Sequence, residues 1–556
     1  MKASTLRFEV QLIQEAIEFE DGRRFKRMAI VEKWKDDVKV SSARMGAPIL
    51  EDIYTQIERG EEINLSQCYV NDFSLSTYRK NKGYADDYIV ELNSFQASQS
   101  FFESETATEF SYCNFKGRVS SFAQSTFNKA RVNFNHTHCA ASLNFNHAEF
   151  HAEEVSFKFA EFEEGDVRFT GAIFDCENVL FVNTRFGEGN VNFRQADFKW
   201  SNVNFQYSSF DLGDVSFDKA IFRGETLDFR KIEFGTGKAE FRRVDFGDGN
   251  INFSESEFKE GRINFRHSIF GDGEKKFEMV SFGNNQVSFD GAKFGNGILS
   301  FKGSSFDELI LTDCSLEGHC DFRIEKGNLL DLSYSIVRDI VDLKSGEHPV
   351  ALNTWKFDGL KNMGKIFISW EENHAFELID SQKDSSLAAK ASQFNLLKES
   401  FHQNGKYNSE DKAYVAFKRF EMKAHLQAGL KRKGTRALRA RLFYGFQWLI
   451  FDKAGLFATA PLRVFTSMIF VLSFFAILYT ILPNFVHAEI VSSVGDPDQL
   501  NIVEKSFYHS AITFFTIGYG DYYPSGHVRW LSAVEGWAGV FLMSYFTVAF
   551  VRKILR

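Results

Sequence analysis

Cysteine is scarce, six residues in 556, and none lies beyond Cys320. Cys68, Cys113, Cys139 and Cys176 stand far apart; Cys314 and Cys320 are close but lack the second pair that a zinc site needs. No nucleophile–base constellation and no phosphate-binding loop occurs, so no catalysis is expected. Gly187-Glu188-Gly189 lacks the third glycine and the following helix of a dinucleotide fingerprint. No apolar run near the N-terminus resembles a leader. No span carries an arginine at every third position, which excludes a voltage sensor.

What is abundant is phenylalanine, 64 residues. From Phe145 to Phe306 it recurs in alternating steps of five and seven without a miss: Phe145, Phe150, Phe157, Phe162, and so on to Phe301 and Phe306. An earlier stretch, Phe110 to Phe134, keeps the same beat and slips once. Two places before most of these rings stands a small or branched apolar residue, with a polar one between, as in Val191-Asn192-Phe193 and Ala196-Asp197-Phe198. Inward, outward, inward is strand alternation. No helix keeps steps of five and seven on one stripe. These blocks resemble pentapeptide-repeat proteins, which implies a right-handed quadrilateral β-helix with the phenylalanines inside.

Two coil lengths fit this beat. Glycine follows by three places after Phe162, Phe186, Phe210 and Phe234, but not after Phe150, Phe174, Phe198 or Phe222. Stacked neighbours would show that alternation if one coil holds two units, about 24 residues, so seven coils at ~4.8 Å would rise roughly 34 Å. The other arrangement is a flattened solenoid of one unit per coil. Atypical repeats at Ile63–Val70 and at Leu311, Leu316, Leu332 and Val337 extend the pattern at both ends, as capping repeats do.

The turn Gly247-Asp248-Gly249-Asn250 admits a calcium reading, but it lacks ligand-rich spacing and glycine serves the turn itself. A net charge of −9 reads as solubility rather than imitation of nucleic acid, and no nucleic-acid partner is expected.

Two uncharged or nearly uncharged runs follow. Val464–Leu482 carries no charge, and Trp530–Val551 carries one acid, Glu535. At ~1.5 Å per residue each crosses a ~30 Å hydrocarbon core. Lys431, Arg432, Lys433, Arg436, Arg439 and Arg441 precede the first, and Arg552, Lys553 and Arg556 follow the second. Positive-inside logic puts both termini in the cytoplasm.

Between the spans runs Thr513-Phe514-Phe515-Thr516-Ile517-Gly518-Tyr519-Gly520-Asp521. It resembles the pore helix and filter of two-transmembrane potassium channels, a likeness that covers about 461–556. The resemblance implies a homotetramer in a cell membrane, that of a prokaryote, with potassium as permeant ion and no cofactor. Carbonyls of Thr516, Ile517, Gly518 and Tyr519 would face the ion, with Gly520 completing the filter. Thr513, Tyr508 and Asp521 would support it, through a Tyr508–Asp521 hydrogen bond where relatives use tryptophan. His509 either titrates or packs behind the filter. Tyr523 stands where an aromatic ring binds external blockers. Gly539, or Gly536, is a hinge of the inner helix or a close-packing point. The chain ends soon after, leaving no room for the C-terminal nucleotide-fold domain of many relatives.

The expected order is therefore an N-terminal segment (1–62), a β-solenoid (63–345), a helical linker (353–435), an interfacial helix (436–460) and a pore domain (461–556). The pore domain divides into an outer helix (464–482), pore helix and filter (506–521) and inner helix (530–551). In the linker, Phe394, Leu396, Leu397 and Phe401 share one face, and Tyr414, Phe417, Phe420 and Met422 another. Arg436, Arg439 and Arg441 of the interfacial helix face anionic lipid or simply mark the cytoplasmic flank. The solenoid is a spacer, an assembly platform or a sensor for an unknown cytoplasmic ligand or protein. An anchored scaffold with a vestigial pore and a poorly selective cation channel are the competing readings of the whole.

Overall fold

Inward side chains of a lone strand need neighbours, and this chain supplies them one turn later. In the computed structural model, which describes residues 6–346, 350–431, 434–493, 495 and 500–555, Val191 lies beside Val215, Ala239, Ile263 and Val287 in successive parallel strands. Each partner stands 24 residues on, as in Val191↔Val215, which selects the two-unit coil over the one-unit coil. A single coil uses Asn178–Leu180, Arg185–Phe186, Val191–Asn192 and a bridge at Asp197. Four short strands per turn make a quadrilateral β-solenoid, about eleven coils between residues 90 and 367.

The rings form stacked columns. Phe193 stacks on Phe169 at 4.9 Å and on Phe217 at 4.8 Å, and meets Phe205 of a second column edge-on at 5.8 Å and 89°. Each such pair adds about 0.5–1.5 kcal/mol to simple burial. The polar residue between apolar ones caps the next turn: Asn192 Oδ1 accepts from Arg194 N at 2.9 Å, and Asn204 Oδ1 from Gln206 N at 2.8 Å. Buried serines serve as cross-coil ties, Ser256 donating to Phe229 O at 2.7 Å and Ser268 to Phe241 O at 2.6 Å. A Cβ on Gly213 would come within 1.9 Å of Gly189 O, so close coil approach accounts for the glycine column. The acids of the glycine turns are likewise used between coils. Asp248 Oδ1 accepts from Asp272 N at 3.2 Å and Asp272 Oδ1 from Asn296 N at 2.8 Å. Among the described residues no three His, Cys, Asp or Glu side chains converge as metal ligands.

Before the coils lies a three-stranded antiparallel sheet, Leu6–Ile13, Met28–Lys35 and Val38–Gly46, followed by helix α1 (Leu50–Glu58). Lys33 Nζ meets Glu149 Oε2 at 2.6 Å and ties that sheet to the coils. The hydrogen bond from His151, together with Lys33, holds the Glu149 carboxyl down at about 2. Helix α2 (Leu75–Lys82) interrupts an early coil.

The far end differs from the expected boundaries. Ala351–Lys356 is a strand paired with Lys326–Asp331, and Lys365–Phe367 pairs with Ile340–Asp342. The solenoid therefore passes residue 345, and the stretch from 353 to 367 is not helical linker. Trp355, Phe357, Leu360, Ile366 and Ile368 fill the inward places there, without the regular phenylalanine step. Helix begins only at α3 (Ala375–Asp380).

The second unit runs from Lys383 to Arg556. Helices α4 (Leu387–Gln403) and α5 (Tyr407–Leu430) form a hairpin around Gly405, whose φ of 68° suits a helix end. Phe394, Leu397, Phe401, Phe420 and Met422 are buried, and Phe394 stacks on Phe420 at 5.3 Å. Helix α6 (Thr435–Gln447) passes into a π-helical turn, Trp448–Lys453, so the helix expected over 436–460 stops short of its end. Helices α7 (Pro461–Ile481), α8 (Ile502–Phe514) and α9 (Val528–Ile554) complete the unit. Two of these, α7 with its C-terminal turn and α9, are long and apolar enough to cross a membrane. Of the basic flanks, Arg432, Lys433 and Arg556 lie outside the described residues.

Candidate functional site

Helix α8 starts with a capping box: Glu504 N donates to Asn501 Oδ1, and Asn501 N to Glu504 Oε2, each at 2.9 Å. Its last turn then suspends the segment that follows. Ile512 O accepts from Ile517 N at 2.8 Å and from Gly518 N at 3.3 Å, while Thr516 N donates to Thr513 O at 3.1 Å. Along this segment left-handed residues alternate with ordinary ones: Thr516 at φ 55°, Gly518 at 63° and Gly520 at 76°. Such alternation lets successive carbonyls turn toward one side, where a uniform strand would alternate them. A positive φ at a β-branched threonine is costly and belongs to sites where backbone geometry is used. Phe515 to Gly520 are all exposed in the single chain.

The supporting side chains sit behind. Tyr508 Oη donates to Asp521 Oδ2 at 2.7 Å, and that bond holds the Asp521 carboxyl below the usual carboxylate range. Asp521 Oδ1 accepts from Tyr522 N at 3.0 Å. An antiparallel pairing of Ile490–Ser492 with Tyr522–Pro524 carries Tyr523, which is exposed. His509 is buried, its Nε2 3.0 Å from Ser532 Oγ. Thr513 Oγ1 lies 3.4 Å from the same nitrogen.

Helix α9 runs uninterrupted through Gly536 and Gly539. A Cβ at Gly539 would stand 2.0 Å from Phe514 O, so Gly539 lets α9 approach the end of α8. Gly536 has only Thr513 near it, at 3.9 Å.

On α6, Arg436, Arg439 and Arg441 are exposed, and so are Leu438, Leu442, Phe443 and Phe446. No acid among the described residues pairs with these three arginines in the ion pairs of this unit. Charged and apolar groups are thus presented together to the surroundings, as at a membrane interface.

Two clusters were not anticipated from sequence. At the end of α9, Arg552 Nη2 meets Asp411 Oδ1 at 3.0 Å and Lys553 Nζ meets Asp411 Oδ2 at 2.8 Å. Arg552 also lies over the Tyr414 ring at 4.5 Å. Nearby, Arg419 grips Asp452 with two nitrogens, at 2.8 and 3.0 Å. Helix α5 is thereby tied both to the inner-helix end and to the turn before α7. The second cluster surrounds Glu535, whose signal was visible as the lone acid of an apolar span.

Residues 464–556 match the family model described as ion channel. A 67-residue stretch is 37% identical to Protein LctB of Bacillus caldotenax, covering 12% of this chain and 50% of that protein. The matched stretch thus spans only half of the relative's length. No solved structure matches the chain. The chain joins a β-solenoid to a C-terminal ion-channel domain with two candidate membrane helices.

Proposed function

We propose that this ion-channel domain conducts potassium selectively, as a homotetramer in a cell membrane with both termini in the cytoplasm. The alternating left-handed positions at Thr516, Gly518 and Gly520 carry the reading. They turn a run of carbonyls to one side, and such oxygens replace the hydration shell of potassium. One chain offers too few of them, and irregular backbone at membrane depth must be buried in protein or line water. Four chains around one axis meet both conditions and cover the exposed face of Phe515 to Gly520.

The solenoid and its helical linker support or regulate the pore in this reading. Asp411 of α5 holds Arg552 and Lys553 at the end of the inner helix, so movement of the linker changes the load on that end. The exposed arginines of α6 face anionic lipid on the cytoplasmic side.

The test is reconstitution into liposomes under opposed potassium and sodium gradients. A reversal potential at the potassium equilibrium value, with current abolished by Gly518→Asp, is the expected result. Current that reverses near zero overturns selectivity. Silence from intact protein in several lipid compositions favours an anchoring role instead.

A further inference from the structure

We infer that Glu535 is a positioning residue for the filter: its buried carboxyl clamps α8, from which the conducting segment hangs, between the two membrane helices. The inference rests on the reading of residues 516–520 as a potassium filter.

Glu535 is fully buried, as is Ser510, and Tyr479 is 1% exposed. Tyr479 Oη, on α7, donates to Glu535 Oε2 at 2.7 Å. Ser510, on α8, bonds Glu535 Oε1, and its hydroxyl also lies 2.9 Å from Leu472 O on α7. One residue earlier, His509 meets Ser532 of α9 and packs edge-on against the Tyr479 ring at 5.2 Å. Three helices thus converge on one carboxyl group. No cation among the described residues pairs with it in the ion pairs of this unit. Simple packing would be served more cheaply by leucine, since a buried polar group costs several kcal/mol wherever its hydrogen bonds are incomplete. An ionisable group at membrane depth is retained for what it holds.

What it holds is the filter's support. Ile512, two residues beyond Ser510, accepts the amides of Ile517 and Gly518 through its carbonyl, and Tyr508, two residues before, bonds Asp521. These two attachments of the filter therefore lie on α8 within one turn of Ser510. If α8 rotates or slides, both ends of the filter move with it. Selection between ions of similar size requires oxygen positions held within about 0.5 Å, so a small shift is enough to matter.

Glutamine can occupy the site without loss of the clamp. Its carbonyl accepts from Tyr479, and its amide donates to Ser510, whose own proton turns to Leu472 O. Alanine cannot. The experiment compares wild type, Glu535→Ala and Glu535→Gln in liposomes, reading the potassium-to-sodium permeability ratio. Hydrogen exchange of the amides in residues 505–514 is read alongside. Glu535→Ala is expected to lower the ratio about tenfold and to speed exchange in α8, while Glu535→Gln stays within about twofold of wild type in both. Unchanged ratio and exchange in Glu535→Ala overturn the inference, as does equal damage by glutamine. If wild type itself shows no potassium preference, the potassium reading falls. Exchange then decides the clamp alone, faster in alanine but not glutamine supporting it. Should Glu535→Ala fail to assemble, Ser510→Ala removes the α8 contact, and an unaltered ratio and exchange there overturn the inference equally.

Discussion

Lys275 occupies an inward place in the solenoid, between Ile251 of one coil and Leu299 of the next. It is fully buried, and among the described residues its Nζ reaches only Gly295 O, at a long 3.4 Å. Burial pushes the ammonium down to about 8, with Asp272 and Asp248 opposing the shift. The unfolded chain keeps its lysine near 10.5 and so binds more protons between these values. Stability accordingly rises with pH across that window, and below about 8 the whole penalty, on the order of 3 kcal/mol, is present. Lys275→Met should raise the thermal midpoint of the β-sheet circular dichroism signal at pH 7. Its advantage over wild type should shrink as pH climbs from 8 toward 10.5. A pH-independent advantage would mean that packing, not charge, is the cause. This lysine is visible in the sequence as a break in the apolar residue two places before Phe277, yet only the structure shows that it stays inside. The proposed filter segment was legible for the opposite reason. Its chemistry is local backbone geometry written in consecutive residues, whereas Glu535 meets partners 56 and 25 positions away in Tyr479 and Ser510.

At the scale of elements, legibility follows repetition. Coils must superpose ring on ring, so the phenylalanine step is written in the sequence and gives the strands, while the coil length, which that step leaves open between one unit and two, follows from the 24-residue pairing. Where Asn362 and Ile368 stand in the places of the rings, the same architecture continues unannounced. Helix-to-helix ties leave no such trace: Arg552 and Asp411 are separated by 141 positions. That tie is nonetheless testable. Asp411 is nearly buried and faces two cations, so Asp411→Asn releases both without changing shape. A partly exposed pair worth about 1 kcal/mol, when it restrains one conformation, shifts a two-state equilibrium about fivefold. We expect single-channel recordings of Asp411→Asn to show open probability raised by about that factor, with unitary conductance unaltered. A change in conductance would place the pair in the ion path; no change at all would leave α5 a passive strut.

For the whole molecule the decisive property is the number of chains around the pore. Each 63.7 kDa chain carries a single segment of the proposed filter type, and Phe515 to Gly520 are exposed when the chain stands alone. A pore built from four copies fails if one of them blocks. Gly518→Asp places a carboxylate-bearing side chain where φ is 63°, a backbone that a residue with a Cβ adopts at a cost, so one such subunit disrupts the ring. Mixed in equal amounts with wild type and assembled at random, it leaves only about one-sixteenth of tetramers intact, against one-quarter of dimers. The potassium current measured across a series of mixing ratios should therefore fall as the fourth power of the wild-type fraction. A second-power curve would require that each chain supply more than the one filter its sequence contains. A linear curve would mean that the pore is not shared, and the proposed coordination by four sets of carbonyls would fail with it.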